Sequence, residues 1–319
     1  MKPAVLTADE RSAFRRRLLR WFDRNRRLLP WRADRDPYHI WISEIMLQQT
    51  RVAVVRERYP DFLRRFPSIE QLAATRLPEV LAAWSGLGYY RRARALHAAA
   101  RQLVKNGGGF PRTAGELVAL PGVGRYTAAA IASIAFDQPC AAVDGNVERV
   151  LGRLFRVRKR HAWSVAAELL DPRRPGEFNQ AMMELGATLC LPQAPLCAEC
   201  PVFAWCRTRA AGASPVPLLR RKKRIAYRLA VRDQRVLLVQ RENHQSLMPG
   251  LWELPQSRAS IGTPLLRLRH AITNTDYQVS VYHSRSVPGR AGRWVKLAEV
   301  ERLPLTGLAQ KILRRSNLI

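Results

Sequence analysis

Apolar residues recur at spacings of three and four along the first two thirds of the chain. The stretches "ADERSAFRRRLLRWFDRN", "HIWISEIMLQQTRVAVVRERYPDFLRRF" and "LPEVLAAWSGLGYYRRARALHAAARQLVKNG" share this period and are separated by short Gly/Pro breaks. Such spacing marks helices with one buried face, and the β-branched alternation of strands is largely missing. Residues from about 9 to 206 are therefore predicted to be all-α. At "AGASPVPLLRRKKR", residues 211–224, a Gly/Ser/Pro run leads into a basic cluster and reads as a linker, with Arg220 to Arg224 either solvated or touching phosphate. Beyond it, "RIAYRLAVRDQRVLLVQR" predicts two alternating strands around a turn at Asp233-Gln234, and "YQVSVYHSR" and "RWVKLAEV" predict more strands. The expectation is an α+β chain with a helical domain over residues 1–210, a linker over 211–224 and a smaller α+β domain over 225–319.

One segment interrupts the helical pattern for a chemical reason. In "LPGVGRYTAAAIASIAF", Pro121 stops a preceding helix because proline cannot continue the hydrogen-bond ladder. Gly122 and Gly124 allow a tight turn and remove side chains that would hold a ligand away from the backbone. A helix opening at Arg125 then points unpaired amides outward, which suits a phosphate. A plain turn between helices would look the same, and the charge balance is what favours a phosphate. The chain carries 54 Lys and Arg against 25 Asp and Glu, a net charge of +29, which points to a polyanionic partner, nucleic acid first. An anionic membrane is the other polyanion, but no apolar run of about 18 residues occurs. The start "MKPAVLTADERSAF" lacks the apolar core of a signal peptide, so the expectation is a cytoplasmic, DNA-facing protein.

Four of the five cysteines fall together in "CLPQAPLCAECPVFAWC": Cys190, Cys197, Cys200 and Cys206. In a reducing compartment this clustering suggests metal, and four thiolates suit either an iron-sulfur cluster or zinc. Two carboxylates also stand out. On a helix Glu44 of "WISEIMLQQT" neighbours Ile40, Trp41, Leu47 and Gln48, surroundings that penalise its charged form and raise its pKa. Asp144 of "AAVDGNVERVLGRLF" precedes a helical pattern and is placed to cap it, where backbone donors favour the anion. Two carboxylates pushed apart in this way can serve as the acid and the anion that break a glycosidic bond.

The stretch "LPGVGRYTA" resembles the helix-hairpin-helix motif of the DNA glycosylase superfamily that includes endonuclease III, and the cysteine spacing is similar to that family's 4Fe-4S loop. More specifically, "PWR", "WISEIMLQQTRV", "WSGLGYYRRA", "LPGVGRYTA", "VDGNVERV" and "FNQAMMELGATLC", in order over roughly residues 12 to 206, look like the adenine DNA glycosylases of the MutY family. The resemblance implies a base-excision-repair hydrolase, a monomer acting on double-stranded DNA with adenine opposite 8-oxoguanine or guanine. It implies that Glu44 protonates adenine at N7 and that Asp144 either stabilises the sugar cation or traps it before water finishes the reaction. It implies further that Trp31, Arg32 and Glu184 line the adenine pocket with Leu47 nearby, that Gln49 and Tyr89 wedge into the base stack, and that Gly122, Gly124, Tyr126 and Asn146 belong to the DNA-binding surface. Relatives that also cut the strand carry a lysine where this chain has Tyr126, and tyrosine cannot form an imine, so strand cutting is expected to be weak or absent. A bifunctional endonuclease III type enzyme and a noncatalytic iron-sulfur DNA-binding protein are the rival readings.

"MPGLWELPQ", Met248 to Gln256, resembles the segment before the catalytic box of Nudix hydrolases, which hold divalent metal with clustered glutamates. No Asp or Glu occurs from Leu254 to Thr275, so Nudix hydrolysis is not expected. The remainder resembles a MutY lesion-recognition domain. Where that family usually has an aromatic-Ser-His loop, "RHAITNT" sets Ile272, Thr273 and Asn274, leaving Thr273 and Asn274 as the polar contacts to 8-oxoguanine.

Overall fold

The computed structural model describes residues 5–209, 221–242, 244–245, 247–257, 262–272, 275–284 and 292–319. In chain order the helices are α1 (Ala8–Asn25), α2 (Pro37–Leu47), α3 (Val52–Arg65), α4 (Ile69–Ala74), α5 (Leu77–Ala83), α6 (Arg91–Lys105), α7 (Ala114–Leu117), α8 (Arg125–Phe136), α9 (Gly145–Phe155), α10 (Ala162–Leu169), α11 (Pro175–Thr188), α12 (Leu297–Val300) and α13 (Gly307–Arg315). The strands are β1 (Arg221–Leu229), β2 (Val231–Arg232), β3 (Arg235–Gln240), β4 (Trp252–Glu253), β5 (Gln256–Ser257), β6 (Leu266–Ile272), β7 (Thr275–His283) and β8 (Arg293–Lys296). The chain divides into two compact units, residues 1–70 with 98–216 and residues 71–97 with 217–319. No helix among the described residues is long and apolar enough to cross a membrane.

In the first unit α1 starts at a reciprocal cap: Glu10 N donates to Thr7 Oγ1 at 3.3 Å, and Thr7 N donates to Glu10 Oε2 at 2.9 Å. Its three-and-four periodicity buries Phe14, Leu18 and Phe22 against Val150, Leu151 and Leu154 of α9 and Phe178 and Met182 of α11. Helix α2 is different. Asp36 caps it by accepting from Tyr38 N at 2.7 Å, Pro37 occupies its first turn, and every residue from Ile40 to Met46 is buried. A helix buried on all faces leaves no side for a polar residue to escape, so Glu44 is desolvated by its position. Helix α8 packs against α2 and is buried from Thr127 to Ser133, four alanines among these residues keeping the interface thin.

The second unit contains a four-stranded sheet in the order β5-β1-β7-β6, with β1 and β7 parallel and the other pairs antiparallel. A second sheet runs β2-β3-β4, with β8 also pairing β3. Tyr227, Val236, Leu268, Val279 and Val295 from the strands, together with Leu308 and Ile312 of α13, form its core. The predicted turn is present, with Asp233 and Gln234 both at positive φ between β2 and β3.

Three boundaries differ from the sequence expectation. In "RWVKLAEV" only Arg293–Lys296 is a strand, and Leu297–Val300 forms a helical turn. Strand β1 begins at Arg221, inside the segment read as linker, because parallel pairing with β7 from Arg221↔Thr275 onward extends the ladder through the basic run. Finally, residues 71–97, read as part of the helical domain, group with the second unit. The attachments there are specific. Tyr90 Oη donates to Leu305 O at 2.8 Å, Ser85 Oγ donates to Gln310 Oε1 at 3.2 Å, and an Arg94 guanidinium N–H donates to Pro249 O at 2.7 Å.

Candidate active site

A cavity of about 690 Å³ in the first unit gathers most of the expected residues. Trp31, Arg32, Glu44, Leu47, Gln49, Gly122, Gly124, Tyr126, Asp144, Asn146 and Glu184 all line it. Tyr89 belongs to the second unit, 44% exposed at a positive φ, with the Arg92 guanidinium stacked 5.5 Å from its ring. Thr273 and Asn274 lie outside the described residues.

Glu44 is 6% exposed, and its Oε2 is buried with no hydrogen-bond partner among the described residues. Burial pushes its carboxyl up to about 7; Asp144 adds to the rise, while a hydrogen bond from Tyr126 and the charge of Arg32 oppose it. The Tyr126 hydroxyl, which also meets Met183 Sδ at 3.1 Å, is itself raised well above the usual tyrosine range, first by burial and then by the two carboxylates.

Asp144 is the N-cap of α9. Its Oδ1 accepts from Val147 N at 2.8 Å and its Oδ2 accepts from Asn146 Nδ2 at 2.8 Å. The chain of donors continues outward. Arg149 donates to Asn146 Oδ1 at 2.8 Å, to Gly186 O at 2.8 Å and to Cys190 O at 3.0 Å, so a hydrogen-bonded path runs from the first cysteine to the Asp144 carboxylate. Gly186 makes room for it: a Cβ there would lie 2.7 Å from Asn146 Cβ, so only glycine lets α11 approach the start of α9 this closely. Buried Asn179 fixes the preceding segment, accepting from Ala142 N at 3.0 Å and donating to Ser133 Oγ and Cys140 O, each at 2.9 Å.

On the opposite wall Glu184, 1% exposed, accepts from Arg27 Nε at 2.7 Å, Arg27 N at 3.0 Å and Arg32 at 2.9 Å. Burial alone would raise its pKa, but hydrogen bonds from Arg27 and Arg32 outweigh it and hold the carboxyl down at about 2. The two buried glutamates of one cavity are thus pushed in opposite directions. Arg27 was not singled out by sequence; its partner is 157 residues away, and no local spacing carries that pairing. Trp31 closes the apolar side, edge-on to Tyr59 with ring centroids 5.7 Å apart.

The hairpin has the expected form. Gly122 adopts φ +77°, in the left-handed region that favours glycine, and Gly124 is the N-cap of α8 with no side-chain cap. A Cβ on Gly124 would meet nothing within 4 Å, so the space over the first amides of α8 is open to an approaching anion. The four cysteines line a second, separate cavity walled by Val150, Leu154, Leu185 and Leu196, with an Arg153 guanidinium N–H 3.4 Å from Cys190 Sγ. Among the described residues no three His, Cys, Asp or Glu side chains converge closely enough to hold one metal ion. Four thiols lining one apolar-walled cavity, with a cation beside one sulfur, are a donor set of the kind that holds a metal centre.

Residues 42–175 match the family described as HhH-GPD superfamily base excision DNA repair protein. The chain is 51% identical over 214 residues to the adenine DNA glycosylase of Mus musculus, covering 61% of this chain and 42% of that protein, so it spans less than half the length of this relative. A thermostable thymine-DNA glycosylase is similar in structure with TM-score 0.59 and 31% identity, covering 63% of this chain and 97% of that one. A non-covalent endonuclease III-DNA complex is similar with TM-score 0.56 and 26% identity, covering 64% of this chain and 97% of that chain.

Proposed function

Because this chain belongs to the HhH-GPD superfamily of base excision DNA repair proteins, we propose that it is a cytoplasmic, monomeric and monofunctional adenine glycosylase. It hydrolyses the N-glycosidic bond of adenine paired with 8-oxoguanine or guanine in duplex DNA. One observation carries the reading: a buried glutamic acid poised near pH 7, with an unpartnered oxygen, shares a cavity with an aspartate that caps a helix.

The base inside a duplex is out of reach, so adenine is flipped into the cavity. Trp31 and Leu47 offer apolar surface to its ring, and the Glu184 cluster with Arg27 and Arg32 offers fixed charge to its edge. Glu44 donates its proton to N7, so the electron pair of the glycosidic bond leaves with a neutral base. Positive charge then spreads over the sugar ring, where the Asp144 carboxylate stabilises it. Water adds to the sugar carbon and its proton restores Glu44. Tyr126 offers no amine to that carbon, so no imine forms and the strand stays intact. Cys190, Cys197, Cys200 and Cys206 hold a 4Fe-4S cluster that stiffens the loop, and no chemical step uses it. Gln49, at positive φ after α2, and Tyr89 fill the gap left by the flipped base, and Thr273 and Asn274 contact the lesion.

The test is a duplex with one adenine opposite 8-oxoguanine, incubated with the protein and split into samples with and without hot alkali. Breaks only after alkali are expected. Breaks without alkali would indicate a lyase, and intact adenine in both samples would remove the catalytic reading.

The pH dependence follows from the acid. Glu44 acts while protonated, and with a carboxyl near 7 its protonated fraction falls as pH rises. Single-turnover excision should be near its plateau at pH 6, about half of that at pH 7, and should drop roughly tenfold per unit above pH 8. An ordinary glutamate near pKa 4.3 would be protonated in only about one molecule in 500 at pH 7. A rate flat from pH 6 to 9 would show that Glu44 is not the proton donor.

A further inference from the structure

Side chains alternate across a sheet, so the buried set on each strand identifies the outward set. In the second unit Tyr227 and Leu229 of β1, Val279 and Val281 of β7, and Leu268 of β6 are buried in its core. Lys222, Arg224 and Arg228 of β1, Asp276, Gln278 and Ser280 of β7, and Arg267 and Arg269 of β6 therefore share the opposite face. The register aligns them in rows: Arg224 beside Gln278 beside Arg269, and Ala226 beside Ser280 beside Arg267. Lys222, Arg224, Arg267, Arg269 and Gln278 are exposed. Among the described residues this face sets five cations against one carboxylate, Asp276, which lies beside Lys222.

The spacing decides what such a face is for. Arg224 and Arg269 stand two strand spacings apart, about 10 Å, and Arg267 and Arg269 about 7 Å apart along one strand. These separations are no greater than the Debye length of about 10 Å at 0.1 M salt, so the cations repel one another in the free protein. A polyanion with closely spaced charges relieves that repulsion, and neutral Gln278 and Ser280 between the cations add hydrogen-bonding groups. Apart from the half-buried Tyr282 beside Arg228, the neighbours in the rows are polar or small, so the face lacks the run of apolar side chains that would sink into a lipid surface.

We propose that the outer face of the β1-β7-β6 sheet is a second phosphate-binding surface, gripping the backbone of duplex DNA without regard to sequence. This rests on the reading of the chain as an enzyme of duplex DNA. Released counterions report phosphate contacts directly, so the test is the affinity of the full-length Arg224→Ser/Arg267→Ser/Arg269→Ser variant for duplexes of about 30 base pairs, with and without the lesion, between about 50 and 200 mM salt. The plot of log affinity against log salt should be shallower than that of the parent by about 2 to 3, at roughly 0.9 for each phosphate no longer neutralised. Lesion and plain duplexes should weaken by the same factor, and the excision rate at saturating protein should be unchanged. Replacing the same three arginines with lysine should preserve the slope. Should the triple serine variant fold poorly by thermal melting, Gln278→Glu, which puts an anion between the cations, should weaken both duplexes alike.

A slope equal to that of the parent in a folded variant overturns the proposal. So does loss of capture by vesicles of 30% phosphatidylserine with an unchanged DNA slope, which would assign the face to a membrane. Adenine excision by the parent is measured in the same preparations, so the two readings fail separately. Excision with an unchanged slope removes the surface alone, and a reduced slope without excision by the parent removes the reaction alone.

Discussion

Glu44→Gln binds the lesion duplex as tightly as the parent and excises adenine about 10²- to 10⁴-fold more slowly, the range over which a positioned acid contributes. Glutamine keeps the shape and the neutral state that this buried site favours, so the substitution removes the transferable proton and little else. Stability moves the other way from activity. A carboxyl held near 7 by burial costs the fold whenever it ionises, and the amide never does, so the melting temperature at pH 8 should equal or exceed that of the parent. Single-turnover alkali assays paired with thermal melts check both statements. A variant with parental excision would remove Glu44 from the chemistry, and one that melted well below the parent would make its inactivity uninformative.

Asp144→Asn loses about 10² to 10³ in rate without losing the helix. The asparagine carbonyl can still accept from Val147 N, but its amide turns toward Asn146 Nδ2, donor against donor, and the negative charge facing the sugar is gone. Arg149→Gln acts on the same group from a distance. It releases Asn146 and Cys190 O together, and an outer group of this kind is worth about 10 to 100-fold in activity. Because both substitutions act through one carboxylate, the double variant should be no slower than Asp144→Asn alone, whereas independent sites would multiply. A double-variant cycle on the single-turnover rate decides it. Multiplying losses would mean that Arg149 serves some purpose other than holding Asp144.

How much of this was legible in the sequence depends on how far apart the cooperating residues lie. The helices of the first unit were readable because their burial repeats every three to four residues, and α1 has the bounds of the quoted stretch, Ala8–Asn25. The hairpin turn, the capping Asp144 and the desolvated Glu44 were readable because each is defined by its immediate neighbours. Arg27 on Glu184 and Arg149 between Asn146 and Cys190 were not readable, since each is a tertiary pairing made only when α11 comes against other elements. Strand β1 hid in a basic run because its stability comes from the β7 ladder, and side-chain hydropathy does not report that pairing. The reassignment of residues 71–97 was equally invisible: "LPEVLAAWSGLGYYRRA" has good helical periodicity, and periodicity names a buried face without naming what buries it.

That reassignment bears on how a shortened chain would be interpreted. Ending the polypeptide near residue 216 looks like a clean excision of one module, yet it strips Tyr90 of its acceptor on Leu305, Ser85 of Gln310 and Arg94 of Pro249. The turn that presents Tyr89 would lose its scaffolding together with the sheets. Any fall in lesion preference of such a fragment therefore mixes two injuries, and Tyr90→Phe in the intact chain is the control that tells them apart.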